Sequence, residues 1–430
     1  MVVFTVLLAR RLGSEGFGGY AFIAAVVLIG NALTTFGTDM HLIRRIAAQG
    51  GDLSSLPAAL LIQLGLSALF IAGIWLVAPY LPHQSPETVR ALEIYSLALL
   101  PLAFFSVFTT ALRGRNEMGA YAALNVASAL LQVALIAFLL APGGGLTAVT
   151  ALLLGAQVAL AILAGLLCAW QIPGFWRELY PRESTDTFIR AMLAVARDEA
   201  MPLLRVSAPV ALLAILGILY QRLSLLMLPA LGGALVTGWF AVAARSVEAA
   251  KLLHVSAFTA LYPEMAGATS RKDFRASFRL LLAAAAVIAL GLRFLAGPLV
   301  RLLFGADYLP AVPALRILAW TLVPYTVTTF LSLAFLAAGR ERLVLRGLIA
   351  GLLTLAALNL LLVPRPGLHV LLPEAQVAAA AGAFLLAEMV QAGVLALQGT
   401  PPMLRDQVSG RDSPPALAAD ASPNPDTDTV

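Results

Sequence analysis

Runs of about twenty apolar residues recur along nearly the whole chain, and little else constrains its fold so strongly. Inside a bilayer no water is available to the backbone, so each run has to satisfy its own N–H and C=O groups as an α-helix. At 1.5 Å rise per residue, about twenty residues cross a hydrocarbon core of about 30 Å. The composition agrees: 60% of residues are hydrophobic and only 12% charged, where a soluble domain carries roughly a quarter charged. The pattern therefore predicts an all-α, polytopic membrane protein. Spans are expected at 17–37, 56–78, 90–112, 118–141, 147–170, 204–229, 236–260, 276–300, 311–338, 342–363 and 373–397. Before them, the apolar stretch from Met1 to Ala9 is too short to cross and too short for a signal peptide. It reads as the last turns of an incomplete first helix, which brings the expected number of spans to about twelve.

Loop charge sets the orientation. Loops after even-numbered spans, together with the C-terminal tail, hold 18 Lys and Arg residues, Arg44, Arg113, Arg190, Arg275 and Arg340 among them. Loops after odd-numbered spans hold 5: Arg10, Arg11, Arg90, Arg301 and Arg365. The positive-inside rule places the first set and the C-terminus in the cytoplasm. The net charge of +5 is thus a topology signal and no sign of nucleic acid. The single cysteine, Cys168, excludes an internal disulfide and reads as a buried thiol. The four histidines are scattered, with no metal-ligand spacing, and neither a Walker loop nor HExxH occurs. No catalytic residue, metal or cofactor is expected.

The chain reads as two copies of one unit. LGSEGFGGYA (Leu12 to Ala21) is similar to LGGALVTGWFA (Leu231 to Ala241). Leu100-Pro101 followed by ALRGRNE is similar to Val323-Pro324 followed by AAGRER. Both pairs are shifted by about 220–225 residues. Copies with an even number of spans share one orientation, as in transporters built from parallel repeats. The expected division is 1–170 for a first lobe, 171–202 for a cytoplasmic amphipathic linker, 203–398 for a second lobe, and 399–430 for a polar tail too poor in apolar residues to form a core. In the linker, Phe188, Met192, Val195 and Ala196 share one helical face, opposite Arg190, Arg197 and Asp198.

Ionisable groups inside spans are expensive and usually functional. They concentrate between Tyr220 and Lys251, where two apolar segments flank an uncharged turn from Leu231 to Val236. Arg222 lies in the first segment. Arg245, Glu248 and Lys251 lie in the second at helical spacing, so Glu248 can pair with either neighbouring cation. Two readings stand side by side: a salt-bridge knot between helices, and a cavity that attracts an anion. Further acidic groups in or near spans are Glu388, Asp39 and Glu93; polar ones are Asn31, Asn125, Gln132 and Asn359. Each polar group reads either as a sugar contact or as an interhelical hydrogen bond.

LLARRLGSEGFGGYAF (Leu7 to Phe22), ALRGRNEMGAYAALNV (Ala111 to Val126), ADYLPAVPALRILAW (Ala306 to Trp320) and LAAGRERLVLRGL (Leu336 to Leu348) occur in that order. On these pieces the chain resembles the polysaccharide-biosynthesis flippases of the multidrug/oligosaccharidyl-lipid/polysaccharide exporter superfamily, from Val2 to about Gln398. The resemblance implies a V-shaped, MATE-like bundle of two six-helix lobes that is a flippase and not an enzyme. Its implied substrate is an undecaprenyl-pyrophosphate-linked oligosaccharide for O-antigen, exopolysaccharide or capsule. Arg222, Arg245 and Lys251 are then candidates for the pyrophosphate headgroup. Glu248, Glu388 and Asp39 are candidates for charge pairing or ion coupling, and Asn31, Asn125, Gln132 and Asn359 for sugar contacts. The implied partners are that lipid-linked oligosaccharide, membrane lipid, H⁺ or Na⁺, and polysaccharide polymerase machinery. The alternatives are a cation-coupled multidrug exporter, which needs an acidic centre, and a glycan polymerase or ligase, which needs a large outer loop. Two departures from the resemblance stand out. The first helix is incomplete, and Ser224 occupies a position where relatives often carry an acid, which leaves Arg222 without that close counter-charge.

Overall fold

The structure, a computed structural model, describes residues 2–82, 84–138, 145–176, 185–266, 271–363 and 372–398. Among them there is no strand, and the helices are long. α1 is Val2–Thr35, α2 Thr38–Ala48, α3 Leu56–Val77, α4 Pro86–Ser96, α5 Leu99–Gly114, α6 Met118–Phe138 and α7 Leu146–Gln171. After these come α8 Thr185–Leu231, α9 Gly233–Ala266, α10 Arg271–Leu303, α11 Val312–Leu318, α12 Leu322–Ala337, α13 Glu341–Leu362 and α14 Pro373–Leu397. Among the described residues ten passages are long and apolar enough to span a membrane. They are fewer than the expected spans for two reasons. Val3–Thr35 counts as one passage, and the span expected at 236–260 lies on α9, whose side chains from 253 onward are outside the described residues.

Several breaks in the helices follow from local backbone chemistry. Within α1 the chain kinks at Gly13, with φ 67° and ψ 179°, a conformation that only glycine adopts without strain. The break lies between the first apolar stretch and the span expected at 17. The span expected at 90–112 is two helices, α4 and α5, with the junction just ahead of Pro101. The span expected at 311–338 is likewise broken, into α11, a 3₁₀ turn at Ala319–Thr321, and α12, just ahead of Pro324. Proline removes an intrahelical hydrogen bond and restricts the residue before it, so both breaks have the same cause.

The two halves repeat at this level of detail. A shift of 223 residues carries α5 (Leu99–Gly114) onto the bounds of α12 (Leu322–Ala337), and Pro101 onto Pro324. It also carries Asn116, at φ 62°, onto Gly339, at φ 68°, the left-handed residues of the turns into α6 and α13. The internal repeat read from the motifs is thus present in the backbone as well.

One element was not expected. Thr38–Ala48 forms a short amphipathic helix, with Thr38, Leu42 and Ile46 buried at one-turn intervals while Arg44 and Arg45 flank that face. It packs with Leu53, Leu56, Leu112, Phe175 and Leu203 into a core belonging to the first half and the start of α8. The linker helix is also longer than expected: from Thr185 it runs without interruption into the membrane segment of α8. Side chains 185–200, the rest of the linker from 177 to 184, and the tail at 399–430 lie outside the described residues.

The loops fall at two ends of the bundle. One end carries the kink at Gly13, the Gly232–Gly233 turn, the α10–α11 connection and the start of α14. There Arg10 Nε donates to Leu303 O at 2.7 Å, Arg10 also donates to Leu302 O, Tyr308 Oη donates to Ala9 O at 2.8 Å, and Trp239 Nε1 donates to Asp307 O at 3.1 Å. At the other end Arg115 Nε donates to Gly51 O at 2.8 Å beside the turns that follow α2 and α5. The largest core brings α1 together with α8, α9, α10 and α14, through Phe17, Ala21, Leu228, Phe240, Tyr308 and Ala380 among others.

Candidate charged site in the second half

α8 and α9 meet at a turn shorter than expected. α8 ends at Leu231 and α9 begins at Gly233, whose φ of 81° reverses the chain within two residues. The two helices then run side by side, which brings Arg222 from α8 against α9. Arg222 Nη1 donates to Glu248 Oε1 at 2.6 Å, and Arg245 Nη1 donates to Glu248 Oε2 at 2.9 Å. One carboxylate therefore serves two guanidinium groups, one oxygen each. Arg222 is not left without a counter-charge, as Ser224 had implied: the acid is supplied by the facing helix. Ser224 instead accepts a hydrogen bond from Asn359 Nδ2 of α13 at 3.3 Å.

The members of the cluster differ in access. The Arg222 side chain is 10% exposed, while those of Arg245 and Glu248 are 34% and 32% exposed. Arg222 is thus the buried root of the cluster, and Arg245 with Glu248 forms its open face. Each guanidinium has five N–H donors and spends one on Glu248, so the rest are available to another acceptor.

Lys251 does not pair with Glu248, although their spacing on α9 permits it. Its Nζ lies 4.0 Å from Glu388 Oε1 on α14, 4.1 Å from the centre of the Tyr325 ring and 5.9 Å from that of Phe384. Tyr220 stacks on Phe384 with centroids 5.6 Å apart. The ammonium is held between a buried carboxylate and aromatic faces, an arrangement that stabilises a desolvated cation. Glu248, Lys251, Tyr325 and Phe384 border a small cavity together with Gln221, Phe240 and Thr321. Three cations and two carboxylates make up the cluster, leaving one positive charge in excess.

The remaining candidates are not gathered here. Asp39 sits in the first turn of α2. Asn31 is on α1, where its carbonyl accepts from Thr34 and Thr35. Asn125 donates to Tyr121 O at 2.9 Å within α6 and is exposed; Gln132 donates to Ser128 Oγ at 3.2 Å on the same helix. Asn359 is fully buried and ties α13 to α8, which gives it an interhelical role. Tyr325, Phe384 and Tyr220 are the members of the site that the sequence did not single out. Aromatics in apolar helices look like core, and only the fold shows a cation beside them.

Comparison with known proteins bears on the family and the fold. The family described as "Polysaccharide biosynthesis protein" matches residues 1–268. No curated protein matches the chain. Among solved structures, the fold is similar to the lipid II flippase MurJ in an inward closed conformation, with TM-score 0.68, 12% identity, and 92% of this chain and 84% of that chain covered. It is also similar to an inward-facing multidrug resistance MATE family transporter of the MOP superfamily, with TM-score 0.64, 16% identity and 92% of each chain covered. A third similar structure is a MATE in complex with MaL6, with TM-score 0.53, 16% identity and 93% of each chain covered. The fold is therefore that of a MATE/MurJ-type multi-pass membrane transporter, and, with more than half of its length matched by the family, the chain belongs to the polysaccharide biosynthesis protein family.

Proposed function

We propose that this protein flips an undecaprenyl-pyrophosphate-linked oligosaccharide from the cytoplasmic to the outer leaflet of a bacterial inner membrane, by alternating access between lobes 1–170 and 203–398. The observation that carries this reading is the pair of guanidinium groups sharing one carboxylate on a partly open face. Such a pair is under-neutralised and rich in spare donors, the combination that binds a pyrophosphate through charge-assisted, often bidentate bonds. Lys251 adds a third cation once it leaves Glu388, and Glu388 then needs a counter-ion, for which H⁺ and Na⁺ are the candidates. Orientation follows from the 18-to-5 charge count, with the glycine-turn end outside and the tail inside. Export of a cationic drug is the weaker reading, because it asks for an acidic centre where this one has excess positive charge.

In proteoliposomes, a polyprenyl-pyrophosphate oligosaccharide is expected to reach the far leaflet at a rate at least about tenfold above the same glycan on an uncharged polyprenyl carrier. Equal rates for the two carriers would refute the headgroup reading. Orientation has its own check. Single cysteines at Ser184 and Ser413, in a Cys168→Ser background, are expected to resist an impermeant thiol reagent in intact cells, and ready labelling would invert the topology.

A further inference from the structure

A close backbone contact between the two halves lies at the glycine-turn end, between residues that the internal repeat makes equivalent. A shift of 220 residues carries Ser14-x-x-x-Gly18 of α1 onto Ala234-x-x-x-Gly238 of α9. The two motifs touch each other reciprocally. A Cβ at Gly18 would run into Ala234 O, and would lie 2.9 Å from Gly238 N. A Cβ at Gly238 would run into Ser14 O, and would lie 3.2 Å from Gly18 N. The contact is thus related to itself by the pseudo-two-fold axis between the halves. It is the small-xxx-small crossing of membrane helices, here made between two repeats of a single chain.

Such a crossing is held by backbone packing and weak Cα–H···O contacts, with no charge and no buried side-chain pair. It is therefore tight when closed, leaves few polar groups stranded when opened, and tolerates no side chain. Around it stand the other inter-half contacts of the same end: Arg10 to Leu302 and Leu303 carbonyls, Tyr308 to Ala9 O, and the edge-on Phe17–Tyr308 rings at 6.3 Å. Arg245 and Glu248 lie about two and three turns further along α9 from Gly238, behind this closure.

We propose that the Gly18–Gly238 crossing is the outer gate of the transporter, and that the absence of side chains at these two positions sets the balance between outward-closed and outward-open states. The inference rests on the orientation and transport reading above. Any side chain at either glycine wedges the crossing apart, favours the outward-open state, and exposes the charged site from outside. By symmetry the two positions act alike.

The test uses the full-length protein with Cys168→Ser and a reporter cysteine, Ala244→Cys, on the wall shared with Glu248. An impermeant methanethiosulfonate reagent is applied to right-side-out and to inverted membrane vesicles. Gly18→Val and Gly238→Val are each expected to speed labelling from the outer side about tenfold or more, a shift in population that a wedge of this kind produces. Gly18→Ala and Gly238→Ala are expected to give smaller increases, and the double alanine variant a larger one. Gly217→Val, on α8 where a Cβ meets open space, is expected to leave the rate unchanged. Folded valine variants with unchanged labelling from both sides would overturn the proposal. Faster labelling from the inverted side alone would keep the gate and overturn the orientation. If the valine variants fail to accumulate, the alanine variants decide: parental rates in both singles and in the double would overturn the gate.

Discussion

The two halves of this molecule share a backbone but not a chemistry. Pro101 and Pro324 break equivalent spans, Asn116 and Gly339 turn the chain in the same left-handed conformation, and Gly18 faces Gly238. Yet the expected spans of the first half hold no Asp, Glu, Lys or Arg apart from Arg90 and Glu93 near one span end. The second half holds Arg222, Arg245 and Glu248 in one ion-paired group and Lys251 with Glu388 in another, with Glu248 and Lys251 bordering one cavity. On the proposed function, repetition serves the movement, while a single half supplies the binding chemistry. On that reading, backbone breaks and small-residue crossings match in both halves so that the halves can rock about a common axis. A charged site needs to be built only once.

That division predicts a gradient of effects. The largest is expected at Arg222, the buried root of the cluster. Losing one or two charge-assisted bonds of about 1.5–3 kcal/mol each lowers flux roughly ten- to hundredfold for Arg222→Ala, measured per folded transporter in proteoliposomes. Arg222→Lys should recover only part of it, since an ammonium lacks the planar fork. Full recovery with lysine would show that charge alone is needed there.

A smaller effect is expected at Lys251. In the structure this ammonium is already engaged by Glu388, Tyr325 and Phe384, so it is less available to substrate than the arginines. Lys251→Ala strands the Glu388 carboxylate and should lower abundance in the membrane, and Lys251→Ala/Glu388→Ala should restore it. If abundance stays normal in the single variant, the pair is not structurally coupled.

In the first half, Asn125→Ala and Gln132→Ala should leave flux within about twofold of the parent, because both amides bond within their own helix at an exposed or half-exposed surface. A tenfold loss at either would bring the first lobe into the substrate path and break the asymmetry. By contrast, Asn359→Ala should cost stability of about 0.6 kcal/mol, the typical strength of a hydrogen bond between membrane helices, with flux per folded molecule unchanged.

The smallest effect concerns pH. In the loop between α2 and α3, hydrogen bonds from the Ser54 hydroxyl and backbone N–H hold the Asp52 carboxyl below the ordinary carboxylate range. A carboxylate depressed in the folded state contributes stability above its unfolded pKa and loses it as pH falls through the folded value. The thermal stability of Asp52→Ala should therefore lie slightly below the parent at neutral pH and merge with it in acid. A gap that widens in acid would contradict the sign.

Much of this fold was legible in the sequence because its signals are local. Apolar runs give spans and the repeat shows as matched turns, whereas the breaks ahead of Pro101 and Pro324 were not read because the apolar run continues across them. α2 was not read because eleven residues with two arginines look like a charged loop until the facing core of Leu53 and Leu112 is known. The candidate site was only half legible. The i, i+3 spacing gave the Arg245–Glu248 pair, but the bond from Arg222 spans 26 residues and depends on how tightly α8 and α9 turn. Glu388 lies 137 residues beyond Lys251, and nothing in either segment announces the other. The contact between Gly18 and Gly238 was legible as similarity, but not as touch.

The central claim is that the shared carboxylate tunes a pair of arginines for an anion and does not simply knot two helices. The measurement that tests it most directly is flux per folded molecule, with abundance, for Arg245→Ala and for Arg245→Ala/Glu248→Ala. If the arginines bind pyrophosphate, Arg245→Ala loses about tenfold or more of its flux at near-normal abundance, and removing Glu248 as well does not bring it back. If the cluster is a structural knot, Arg245→Ala lowers abundance instead. Recovery of both abundance and flux in the double variant would contradict the account.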